Sequence, residues 1–248
     1  FFSFMSRDKA ALWDERYTHE GHQPADLDRY TPVMRDLLLK SKQIVLGLGI
    51  ENGNILDIAG GTGKHVRFFN LAARGNSLSL VDFSAEAVLA GRLSGIDAQI
   101  ADLESQSLPF ANEHFDLVLA QEIVEHLSDC HHLFREANRV LRDRGYLYLT
   151  TPNLAGLIDR VFLLRGKKPL AMTWDKTHIQ LYLFGELESL LRTCGFEILQ
   201  STTQDVYFCF RSRFVRLPGI ARLNRNWGQH IMILARKKFA LQEQAVMQ

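Results

Sequence analysis

A doubly wound α/β domain around a mostly parallel sheet is predicted by three observations. Short apolar segments alternate with amphipathic ones between residues 54 and 152, the pattern of strands buried on both faces beneath crossover helices. The first such segment, "NILDIA", runs straight into the glycine-rich bend "GGTG", where missing side chains let a backbone approach a ligand. Acids stand at the ends of three successive strands, Asp57, Asp82 and Asp102, on the carboxyl edge where open α/β sheets bind their ligands.

Two helical segments, "SRDKAALWDERY" and "TPVMRDLLLKSKQIVLGLG", precede the sheet. The second starts with Thr31 as cap and Pro32 in the first turn, a position that needs no N–H. Residues 1–50 are therefore expected to form a helical cap, and residues 51–248 the main domain. "NILDIA" is the first strand, and "GKHVRFFNLAARG" a helix closed by Gly75. "SLSLVDF" is the second strand, and "SAEAVLAGRLSG" a helix capped by Ser84. "DAQIAD" and "HFDLVLAQ" are the next two strands. "SDCHHLFREANRVLRDRG" reads as a helix opened by Ser128 and stopped by Gly145, followed by the strand "YLYLTTP". The back third is less regular. A long connection holds the helical piece "LAGLIDRVFLLRGKK". "LFGELESLLRTCGF" is a helix ending near Gly195. "FEILQSTT" and "GQHIMILARKK" are two last strands that could be antiparallel neighbours. Insertions covering a substrate are expected near 153–180 and 205–227.

The formal net charge of the 248 residues is +1, so the molecule as a whole is no polyanion binder. Three cysteines without C-x-x-C spacing speak against a disulfide framework or a cysteine zinc site and suit a reducing, cytoplasmic setting. No apolar run reaches the ~18 residues of a membrane span. The opening "FFSFMS" lacks the basic region of a signal peptide.

The bend at 59–63 admits three ligand classes. A triphosphate loop would need a glycine at Ile58 and a hydroxyl at His65, and fails twice. A dinucleotide loop finds Gly61 and Gly63 but Val66 in place of its third glycine. The dinucleotide class is weakened but stays open, beside the third class, another adenosine-bearing cofactor. Asp82 is placed to accept from ribose hydroxyls, and Asp102 from an amino group such as that of adenine.

These segments resemble the class I S-adenosylmethionine-dependent methyltransferases, nearest in motif to the small-molecule and quinone-pathway members. The resemblance rests on "LDIAGGTG", "LVDFS", "ADLESQSLPFANEHFDLVLAQEIVEHL", "EANRVLRDRGYLYLTTPN" and "THIQLYLFGELESLLRTCGFEI", with a weaker echo at "WDERY". It implies a Rossmann-like, seven-stranded sheet with an antiparallel last strand, and S-adenosylmethionine as cofactor. Asp57, Ala59 and Gly61, in the loop with Gly60 and Gly63, would border the methionine part. Asp82 would hold the ribose and Phe83 would lie beside the adenine. Asp102 and Leu103 would face the adenine amino group, and Gln121 the sulfonium. The family has glycine where Ala59 stands.

After the fourth strand comes "QEIVEHL". A helix there would set Glu122, Glu125 and His126 on one face, at i, i+3 and i+4. Such a set suits a divalent metal, with His178 of "DKTHIQLY" as a fourth ligand. The pattern is similar to that of ubiquinone-pathway O-methyltransferases and small-RNA terminal 2′-O-methyltransferases, where it binds a metal. Equally, these residues could cap a helix or orient a substrate, with His126, His178 and Glu125 moving the acceptor's proton.

Residues 206–242 contain no acid but eight cations from Arg211 to Lys238, interleaved with Phe208, Phe214 and Trp227. They read as a substrate lid with a solvated strand, or as a surface for peripheral contact with anionic lipid. RNA phosphate is the least favoured partner, because no RNA-binding module is appended. The expected reaction is in-line methyl transfer to a small-molecule or lipid-like acceptor, at a hydroxyl oxygen. An N-methyltransferase, a non-catalytic cofactor-binding subunit and a nicotinamide-dependent oxidoreductase are the alternatives. The expected location is cytoplasmic, with possible attachment to a membrane surface.

Overall fold

The computed structural model describes residues 30–210 and 213–238. The first expected helix, the "WDERY" echo and Arg211 lie outside them.

Helix α1 (Pro32–Leu46) begins as its sequence demands: the Thr31 hydroxyl accepts the Met34 N–H, and Pro32 occupies the first turn. The strands β1 (Asn54–Ile58), β2 (Ser77–Asp82), β3 (Asp97–Ile100), β4 (Phe115–Gln121) and β5 (Leu141–Pro152) alternate with helices α2 (Lys64–Phe69), α3 (Ala85–Leu93) and α4 (Cys130–Val140). Helices α5 (Leu157–Leu164), α6 (Leu170–Trp174) and α7 (Phe184–Thr193) follow. Strand β6 (Phe196–Thr202), a hairpin of β7 (Val206–Phe210) and β8 (Arg213–Leu217), a short helix α8 (Ile220–Leu223) and β9 (His230–Lys237) complete the order.

Seven strands form one sheet in the order β3-β2-β1-β4-β5-β9-β6. The first five are parallel to one another, and β9 inserts antiparallel between β5 and β6. The expected seven-stranded α/β sheet with an antiparallel last strand is therefore present. Side chains alternate across it. Leu117 and Leu119 pack with α1, α2 and α3 through Leu37, Phe69 and Val88, whereas Val118 and Ala120 pack with α4 and α7 through Phe134 and Leu187. Both faces are covered, so β1 and β4 are nearly uniformly apolar.

Three boundaries differ from the sequence reading. Helix α2 stops at Phe69, where Asn70 turns left-handed, and only a short 3-10 turn reaches Gly75. Asp129, not Ser128, caps α4 by accepting the His131 N–H. That helix ends at Val140, and "LRDRG" opens β5, with Arg144 left-handed and Arg142 paired to Asp116. Strand pairing outcompetes the helical periodicity there.

Because β6 runs parallel to β5, the connections after β1, β2, β4, β5 and β6 all emerge at one edge. Helix α5 packs on β7 and on the turn at 225–227, so both expected insertions lie at the carboxyl ends of the parallel strands. The basic segment is divided. Arg213 and Arg225 stay at this edge. Arg236 lies at the opposite end of β9, paired with Glu197, and Lys237 is buried there on the Leu141 carbonyl.

Candidate active site

The loop after β1 is built to bring main chain close to something. Ala59, Gly61 and Gly63 are all left-handed, with φ of 54°, 56° and 73°. A side chain on Gly60 would lie 2.7 Å from the Asp57 carboxylate and from Leu80. Its path is fixed by the next strand. The Gly61 N–H donates to Asp82 Oδ2 at 2.9 Å and the Ser84 N–H to Oδ1 at 2.9 Å. Asp82 thus sits where the reading placed it, at the tip of β2 beside the glycine loop, with half-buried Phe83 adjacent.

Asp57 is buried, and its Oδ2 has no hydrogen-bond partner among the described residues. Burial, reinforced by Asp82, pushes its carboxyl up to about 8. Gln121, the last residue of β4, is likewise buried with an unpartnered Nε2. Asp102 follows β3 and closes its own turn, accepting from the Ser105 hydroxyl at 2.7 Å and the Glu104 N–H at 3.0 Å. Leu103 is buried in the core. Two orphaned polar atoms and a glycine cradle at adjacent strand tips are what a polar, adenosine-bearing ligand would satisfy.

The acidic–histidine segment is not a helix as expected. Glu122 is left-handed, with φ of 53°, and its N–H is drawn to the Thr150 carbonyl of β5. Only a 3-10 turn, Val124–His126, follows. Glu122 therefore leaves the common face. Its Oε2 lies 3.3 Å from His230 Nε2 at the start of β9. Burial alone would raise Glu122, but the charge and hydrogen bond of His230 hold it below the usual carboxylate range.

Glu125, His126 and His178 do converge, each offering a ligand atom within 4.8 Å of the others. Main chain stitches them together: the Ile179 and Gln180 N–H groups donate to the Glu125 carbonyl, and Gln180 Nε2 donates to the Leu127 carbonyl. Glu125 is fully buried. Thr151 donates to its Oε2 at 2.9 Å, while Oε1 has no hydrogen-bond partner and faces His178 Nε2 at 4.0 Å. Burial and then Glu122 raise the Glu125 carboxyl well above its ordinary value.

His126 Nδ1 is 3.1 Å from the Thr177 carbonyl. A carbonyl only accepts, so Nδ1 carries the hydrogen and Nε2 presents a lone pair. Burial lowers both His126 and His178, which favours the neutral imidazole that a base or a metal ligand requires. The sequence reading did not find Thr151, Asp175, Thr177 or His230. Thr151, Asp175 and Thr177 lie within the segments "YLYLTTPN" and "DKTHIQLY" but receive no role there, and pairing of β5 with β9 alone brings His230 to Pro152.

A family described as a methyltransferase domain matches residues 29–201, more than half of the chain. The chain belongs to that family. An uncharacterized protein of Methanocaldococcus jannaschii is 30% identical over 125 residues, 50% of this chain and 54% of that protein. A ubiquinone/menaquinone biosynthesis C-methyltransferase, UbiE, of Pseudomonas savastanoi is 32% identical over 107 residues, 40% of this chain and 42% of that protein. The methyltransferase chain thus spans about half the length of the curated relatives it matches. A Thermotoga maritima structure, described as a SAM-dependent methyltransferase and possible histamine N-methyltransferase, superposes with a TM-score of 0.62. It covers 92% of this chain and 99% of its own at 21% identity, a likeness of fold. The sheet order and the matched family place the chain among the class I S-adenosylmethionine-dependent methyltransferases.

Proposed function

We propose that this chain transfers the methyl group of S-adenosylmethionine to a hydroxyl oxygen of a small or lipid-like molecule. The carrying observation is the convergence of buried Glu125 with half-buried His126 and His178, which begins four residues after Gln121 at the tip of β4. The cofactor supplies an electrophilic methyl on a sulfonium. The chain's own work is to align the acceptor and take its proton. His126 Nε2 is the base the geometry favours, since Thr177 fixes the other ring nitrogen as the donor. Asp57, Asp82 and Gln121, with the loop at 59–63, hold the cofactor, and the insertions after β5 and β6 exclude water from the reacting groups.

The same three residues supply a carboxylate oxygen and two imidazoles, a donor set that fits a divalent metal. Bound there, a metal would lower the pKa of an acceptor hydroxyl. A second reading follows from the name of the UbiE relative, a C-methyltransferase. Ionising a phenolic hydroxyl also activates the neighbouring ring carbon, so one base could serve either outcome.

The test is incubation of the full chain with methyl-labelled cofactor and a host extract, followed by fractionation of labelled product by class. Label released as methyl iodide by hydriodic acid marks an O-methyl product. Label that resists release marks carbon or nitrogen and overturns the hydroxyl assignment.

A further inference from the structure

Leu163, Leu164, Arg165, Gly166, Lys167 and Lys168 are six consecutive exposed residues. Leu164 is 88% exposed and Leu163 48%, although a helix end in a packed layer normally turns its leucines inward. This is no frayed terminus. Gly166, at φ 67°, lets the Lys167 N–H reach the Phe162 carbonyl and the Gly166 N–H reach the Leu163 carbonyl, both at 2.9 Å. That pair of bonds is the Schellman closure of a helix, and it fixes the turn. Two leucines and three cations are thus held together on a rigid projection. No acid occurs between Arg160 and Trp174, and Arg165, Lys167 and Lys168 have no carboxylate partner among the described residues.

The surrounding layer has the same character. Leu223, on α8, is 80% exposed beside exposed Arg222, and Val215, on β8, is exposed beside Arg213. By contrast Arg216 and Arg225 are engaged by Asp205 and Glu188. Helix α5 packs on β7, the partner of β8 in the hairpin, and on the turn at 225–227, whereas Arg222 lines a cleft with Lys40, Gly47 and Gln200.

We propose that the turn at 163–168 docks this protein on an anionic lipid surface. Apolar side chains that enter the headgroup boundary, ringed by cations whose stems reach along it, are what such a surface selects. An RNA partner would use the cations and leave the leucines in water. This inference deepens the lipid-like acceptor reading, because an enzyme seated by this turn meets an amphiphile where it is dissolved.

The experiment is co-sedimentation of the full chain with phosphatidylcholine vesicles and with phosphatidylcholine/phosphatidylglycerol vesicles at low and high salt. The expected result is binding to the anionic vesicles that weakens as salt rises. Leu163→Glu/Leu164→Glu should reduce it about tenfold or more. Arg165→Gln/Lys167→Gln/Lys168→Gln should reduce it by about fivefold per cation. All five side chains are exposed, so both variants should keep the parent's circular dichroism and unfolding midpoint. Absence of binding to anionic vesicles overturns the proposal. So does binding unchanged by the leucine variant, or binding to a homopolymeric RNA that equals vesicle binding and ignores that variant. The measurement uses neither cofactor nor acceptor, so its failure leaves methyl transfer standing, and failure of methyl transfer leaves it standing.

Discussion

At the scale of single residues, Asp57 couples the site to pH. Its carboxyl is raised from 3.8 to about 8 by burial and by Asp82. The unfolded chain ionises near the lower value and the folded chain near the higher one. The stability from this group is therefore complete below the unfolded value and is lost as pH rises through about 8. Asp57→Asn should remove that slope: urea unfolding should give equal stability to parent and variant below the unfolded value of 3.8, and a variant whose advantage grows with pH until about 8. A cationic cofactor beside Asp57 favours its ionised form, so binding at pH 7 should release about one proton. Calorimetry in two buffers of different ionisation enthalpy counts it, and a count of zero breaks the assignment. Ala59 makes a separate prediction. Its φ of 54° is costly for a residue with a Cβ. Ala59→Gly should raise the unfolding free energy by about 1 kcal/mol and leave cofactor affinity within about twofold.

At the scale of elements, the 3-10 turn after β4 and the segment at 175–180 form one unit. Their contact through the Glu125 carbonyl brings His126 and His178 together from 52 residues apart in sequence. Glu125→Gln, whose amide oxygen can still accept from the Thr151 hydroxyl, and His126→Ala should each spare cofactor binding and lower turnover by about a hundredfold or more. Removal of divalent ions with a chelator should match the Glu125→Gln loss if the metal operates. If both substitutions and the chelator leave turnover intact, the cluster has no role in proton transfer. Burial lowers the two histidines, so the neutral base survives to lower pH than an ordinary imidazole would. The acid limb of the rate profile should fall below pH 6.5, and a limb above that value would remove these histidines from the role.

At the scale of the whole molecule, the described part of the N-terminal cap is tied to the sheet by a buried hydroxyl pair. Tyr148 of β5 donates to Ser41 of α1 at 2.7 Å across 107 residues of sequence. Tyr148→Phe should cost about 1 kcal/mol in urea unfolding, since Ser41 loses its buried partner; no loss would mean that packing alone holds α1. No described helix is long and apolar enough to cross a membrane. A lipid contact through the described helices, such as the one proposed at residues 163–168, would therefore be a surface contact.

What the sequence determined by itself is local. Strand length and apolarity, the glycine loop, and the acids at strand tips depend on neighbours within about ten residues, and these gave the sheet and the position of Asp82. Thr31 and Pro32 likewise marked the start of α1. Tertiary structure decided the rest, because the deciding energies came from partners far along the chain. A hydrogen bond from the Glu122 N–H to β5 turned that residue left-handed and broke the expected helix. Strand pairing delivered His230 to Glu122, and no periodicity within "GQHIM" could announce it. The sequence names His178 as the partner of His126, and main-chain bonds to the Glu125 carbonyl are what bring the two together. Side-chain spacing records a face only where the backbone keeps a regular helix or strand, and it keeps neither at Glu122–His126 or at 175–180.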